Sequence, residues 1–206
     1  MFRRVRQADA QWFAYWAVRD QDYLPECYPY LVGIPHPGTE WDEESDPPFL
    51  APNANDDSLS DLQMEELDHI IMRQLGKPAR YNVGLYGGFL HEGWGEKEGF
   101  NPAYSTWIFG LNLNHLLFEV ESECGPFAFY RSEWDSPWSE VNFVWSLNRS
   151  WFVGSYANAS FTIAASRDCT FVKELLNSPI LNARELSFDS DKKLVIKTDS
   201  MFSKNK

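Results

Sequence analysis

The densest group of side chains able to do chemistry is Glu133, Trp134, Asp135, Trp138, Glu140, Trp145, Arg149 and Trp151. It places four tryptophans, three acids and one arginine within nineteen residues. Acids beside indole rings can grip a sugar or a cationic ligand by stacking and cation–π contact. The same residue types anchor protein partners, where Trp and Arg are favoured hot spots. A structural arrangement also fits: Trp145 and Trp151 flank a turn and fill the core, while Arg149 pairs with Asp135 or Glu133. A second candidate is His91-Glu92, in the glycine-rich HEGWGEKEG beside Trp94. It could supply a general base or a metal ligand, although no further ligand stands at a spacing that closes a metal site.

The other histidines, His36, His69 and His115, are scattered, and His69 reads as a solvated polar residue among acids. Cys27, Cys124 and Cys169 are odd in number and fit no zinc or redox spacing, which points to reduced thiols. Cys124 and Cys169 could each serve as a nucleophile only beside a base and in an electropositive setting. G-x-S-x-G, H-E-x-x-H, the Walker loop and a helix-opening G-x-G-x-x-G are all missing. The expected site is therefore a partner- or ligand-binding one: Glu133, Trp134, Asp135, Trp138, Trp145, Arg149 and Trp151, with His91 and Glu92 at its rim. No catalytic residue, metal ion or cofactor is expected.

These side chains need elements to hold them. Val141–Ser146, Ser150–Tyr156 and Phe161–Ala165 are runs of β-branched and aromatic residues broken by Asn148-Arg149 and Asn158. They predict three consecutive antiparallel strands at the centre of a sheet. Tyr81–Leu90, Thr106–Leu111, His115–Glu121 and Phe127–Arg131 add strand candidates. A hairpin around Ser190-Asp191 closes the series. Leu59, Leu62, Leu67, Ile70, Ile71 and Leu75 recur at helical spacing behind a Ser60/Gln63 capping box. Asp168 caps a second helix over DCTFVKELLN, and Asp9 could cap a third beginning near Ala10, favoured over a strand in which Trp12, Trp16 and Val18 alternate. Clustered strands with segregated helices define an α+β fold: a mainly antiparallel sheet with two to three helices covering one face.

The 206 residues are read as a single domain, able to bury roughly 70% of its unfolded surface. Residues 23–58, with seven prolines, read as an irregular acidic loop, because proline fixes φ and cannot donate to a ladder. The tail at 198–206 reads as frayed. Net charge is −12, and Asp20 to Met72 holds fourteen acids and no Lys or Arg. Such a segment repels nucleic acid and steers a basic protein partner. No apolar run approaches the ~20 residues of a membrane span, and the amino terminus has no signal-peptide h-region. A cytoplasmic location follows as an expectation, and oligomeric state is not legible.

From about Leu59 to Leu186 the chain resembles a family of bacterial proteins, frequent in actinomycetes, to which no function is assigned. The resemblance rests on YNVGLYGG (81–88), Leu116-Leu117-Phe118 and VNFVWSLNRSWFVGSYANASFT (141–162). The family's W, R-x-W and late T fall on Trp145, Arg149, Trp151 and Thr162. The chain departs from the pattern at Ser146-Leu147 and at Asn148, which stands for an acid. The resemblance implies one domain and singles out Arg149 and Trp151. Together these features predict a non-catalytic binding protein, an immunity-type inhibitor of a basic protein toxin. The alternative is a small-ligand sensor or enzyme with an aromatic pocket around Trp134–Trp151.

Overall fold

The computed structural model describes residues 1–17, 28–42, 44, 48–50, 58–86, 106–109, 114–133, 141–155, 160–191 and 193–197. Numbered in chain order, nine strands follow one path across an antiparallel sheet. They are β1 (Phe2–Arg3), β7 (Asn114–Ser122), β5 (Ala79–Tyr86), β8 (Phe143–Ser146), β9 (Trp151–Ser155), β10 (Phe161–Ser166), β2 (Tyr30–Pro35), β11 (Arg184–Phe188) and β12 (Leu194–Ile196). β6 (Thr106–Phe109) also pairs with β7. A separate ribbon joins β3 (Glu40–Trp41) to β4 (Phe49–Leu50). The fold is α+β with a mainly antiparallel sheet, as the sequence pattern predicts.

Register shows how the two sides of the sheet differ. One row of facing residues crosses all nine strands: Arg3, Glu119, Asn82, Trp145, Phe152, Ala165, Leu31, Leu186 and Ile196. It starts polar and ends apolar. Because side chains alternate along a strand, their neighbours Tyr81, Val83, Phe118, Val144, Trp151, Val153, Ala164 and Val32 line the opposite side.

Among the described residues, that opposite side is covered by three helices: α2 (Asp61–Leu75), α3 (Pro126–Glu133) and α4 (Cys169–Asn177). They bury Leu67, Ile70, Ile71, Phe127, Phe171, Val172 and Leu175 against it. Each fully buried side chain of this kind stabilises by about 1.5–3 kcal/mol. The capping box predicted at α2 is present, with Gln63 N–H donating to Ser60 Oγ and Ser60 N–H to Gln63 Oε1. Leu62, assigned to the inner face by its spacing, is 64% exposed instead. α1 (Gln7–Ala17) lies on the other side, where Phe13 stacks on Trp145 with ring centroids 5.3 Å apart.

Two further expectations change. Phe127–Arg131 is part of α3 and not a strand. Pro126 opens that helix, and the Asp68 carboxylate of α2 accepts from Phe127 N–H (2.9 Å) and Ala128 N–H (2.7 Å). These bonds satisfy donors that the first turn leaves free. The alternating Phe127 and Phe129 imitate a strand because both rings reach the core. β2 is the second correction. It lies inside the stretch expected to be irregular, yet it pairs with β10 on one side and β11 on the other. Pro29 precedes it and Pro35 ends it, so Tyr30 to Ile34 keep their ladder donors. The predicted tail at 198–206 lies outside the described residues.

Candidate functional site

Arg149 sits in the turn between β8 and β9 with φ +57°, a left-handed backbone uncommon outside glycine, asparagine and aspartate. The expected pairing with Asp135 or Glu133 involves side chains outside the described residues. Arg149 Nε donates to Asp9 Oδ1 at 2.9 Å, and Nη2 donates to the Ala8 carbonyl at 2.8 Å. The guanidinium carbon lies 5.4 Å from the centre of the Trp12 ring. Asp9 does not cap α1; it lies in the first turn, is fully buried, and also accepts from Arg6 Nε at 2.6 Å. Arg6 in turn donates to the Leu147 carbonyl. One buried carboxylate therefore fastens the start of α1 to the β8–β9 turn. Taking away a partner would leave an uncompensated buried charge.

Trp145 and Trp151 do not line one pocket. Trp145 is buried beneath α1, whereas Trp151 is buried on the helix-rich side and stacks on Phe171 at 5.6 Å. A cavity of about 310 Å³ lies beside Trp151, bounded also by Arg80, Gln74, Ser150 and Asp168. Glu133 ends α3, but its side chain, Trp134, Asp135, Trp138, His91 and Glu92 lie outside the described residues.

The helix-rich side presents a different surface. Asp61 and Glu65 are exposed and Glu66 is half-buried on α2, around the exposed Leu62. A groove of about 610 Å³ continues from Glu65 past His69, Met72 and Lys77 to Cys124 and Ala128. Cys124 Sγ lies 3.1 Å from Ser122 Oγ. Beneath it, burial raises the Tyr81 phenol above its ordinary range, and the nearby Cys124 and Asp68 add to the effect. Among the described residues no group of three or more His, Cys, Asp and Glu is arranged to hold a metal ion.

Two buried polar sites went unassigned in the sequence. His36 Nε2 shares a 2.9 Å hydrogen bond with Thr162 Oγ1, which also bonds the half-buried Ser155 hydroxyl. Burial pushes the His36 imidazole down to about 4, so it is neutral near pH 7, and its Nδ1 has no hydrogen-bond partner among the described residues. The other site is Asn82 on β5. Among the described residues its Oδ1 and Nδ2 lack partners, as does Nε1 of the facing Trp145. Thr162 carried one signal, its place in the family pattern. Asn82 carried a misleading one, because a polar residue alternating with Tyr81 and Val83 reads as the solvent side of a half-buried strand.

Comparison of the chain with protein-family models, with curated proteins and with solved structures gave no match. No described helix is long and apolar enough to cross a membrane.

Proposed function

We propose that this chain is a non-catalytic, cytoplasmic binding protein of the immunity type, which occupies a basic protein toxin and blocks it. The observation that carries this reading is the outer face of α2, where Leu62 is 64% exposed among Asp61, Glu65 and Glu66. A large apolar side chain ringed by acids suits a partner that offers an apolar notch within a basic rim. A net charge of −12 would speed the encounter and make it sensitive to salt. The Trp/Arg cluster then has a supporting task, since Arg149 fastens α1 to the sheet.

The test is co-purification with the product of the adjacent gene, followed by binding kinetics at two salt concentrations. The reading expects a complex at or below micromolar Kd. Glu65→Lys/Glu66→Lys should slow association, and Leu62→Ala should speed dissociation. A partner that is acidic, or that binds these variants as well as the parent, would refute it. A second reading, a small-ligand sensor or enzyme, draws on the cavity of about 310 Å³ beside Trp151. Stabilisation by a sugar or a small cation, lost in Trp151→Leu, would favour it.

A further inference from the structure

The polar atoms left without partners beneath α1 lie beside a slot already filled by a ring. Asn82 and Trp145 face each other on adjacent strands and on the same side, both at 0% exposure. Together they present one acceptor and two kinds of donor with no hydrogen bond made among the described residues. Buried amides are rarely left so, because desolvation without a partner is costly.

Two residues further along β5, Gly84 forms the floor of the slot. A Cβ placed there would lie 3.3 Å from Phe13 Cε2 and 3.2 Å from Leu117 Cδ2. Phe13 enters from α1, stacks on Trp145 at 22° between ring planes, and meets His115 and Phe143 edge-on at 5.2 and 5.4 Å. An aromatic wall, a glycine floor and a free carboxamide at the rim would suit a planar ring whose edge carries a donor next to an acceptor. Phe13 satisfies the wall and the floor but, having no polar edge, leaves the carboxamide bare.

We propose that Phe13 is a displaceable plug in a binding slot for an uncharged adenine-type heteroaromatic ring. The ring stacks on Trp145 and pairs with Asn82, the geometry by which asparagine reads adenine's adjacent donor and acceptor. α1 is the part that moves, hinging on the Asp9 clamp to Arg6 and Arg149 at its start. The open state is a minor one, so the apparent affinity is the slot's own affinity scaled by the open fraction. This site is separate from the α2 surface, and either proposal can fail without the other.

The experiment uses the full chain with free adenine, and with benzene as an apolar control. Calorimetry on Phe13→Ala should show adenine binding more tightly than to the parent. Adding Asn82→Leu should weaken adenine by at least about tenfold, the loss expected for a bidentate base contact, while leaving benzene unaffected. If Phe13→Ala does not fold, hydrogen exchange on the parent decides. Saturating adenine should speed exchange of amides 7–17 and leave 169–177 unchanged. The proposal is overturned if benzene binds Phe13→Ala as tightly as adenine does, if Asn82→Leu leaves adenine binding intact, or if adenine leaves the exchange of α1 unaltered. Any of these would make Phe13 an ordinary core residue.

Discussion

The two faces of the sheet are finished to different standards. On the helix-rich face most polar groups brought into the core are given work. Asp68 receives two amides of α3, Ser60 and Gln63 cap each other, and Gln63 Nε2 donates to the Pro35 carbonyl at 2.9 Å. Among the described residues the exceptions there are His36 Nδ1 and Ser178 Oγ. Beneath α1, a fully buried carboxylate is matched to arginines that reach in from the surface, while a carboxamide and an indole N–H are matched to nothing among the described residues. The first arrangement makes removal of any covering element expensive. The second makes removal of α1 comparatively cheap, because opening returns three polar atoms to water.

Substitutions can break or sharpen that contrast. The largest effect belongs to Trp151→Ala, which empties the stack on Phe171 in the well-satisfied core and should cost about 3–5 kcal/mol in urea denaturation. A loss below about 1 kcal/mol would mean that this core is loosely packed. Next is Arg149→Ala, expected to cost about 3 kcal/mol because Asp9 stays buried with one guanidinium fewer. Asp9→Asn in the same background should recover part of that cost. If the double variant is instead additive, the two residues are not coupled.

Titration gives a smaller effect on the helix-rich face. Burial lowers the folded pKa of His36 from 6.5 to about 4, so between these values the unfolded chain binds more protons. His36 therefore contributes stability in full above pH 6.5, and this is lost as pH falls toward 4. The loss is about 1.5 kcal/mol between pH 6.5 and 5. The measurement compares denaturation of the parent and His36→Leu across that range, and only the parent should show this component. The smallest effect has the opposite sign. Asn82→Leu replaces an unpartnered amide with an apolar group of similar size and should raise stability by about 1–2 kcal/mol. A loss of stability would show that the amide is satisfied after all.

How much of this was legible in the sequence follows from the range of each interaction. α2, α4 and the three central strands are set by patterns within one segment: a capping box, an Asp168 cap, and apolar runs broken by Asn and Ser. Their positions were readable to within a few residues. α3 was not, because its first amides are held by Asp68, about sixty residues earlier. β2 was hidden by the prolines around it, although none interrupts its ladder before Pro35. In the candidate site, residue type, together with the family resemblance, marked out Arg149 and Trp151. It could not show that Arg149 reaches Asp9, 140 residues away, or that Trp145 and Trp151 point to opposite faces. Nothing local marks Asn82 as buried, because the helix that folds over it, α1, lies far away in the sequence.

The central claim is that α1 is the element the molecule can most easily release. Native-state hydrogen exchange of the unliganded chain tests it most directly, since local openings expose amides at free energies below that of global unfolding. The account predicts that amides of residues 7–17 exchange through a lower-energy opening of their own, while those of 61–75 and 169–177 exchange only with global unfolding. Equal protection in all three segments would contradict it.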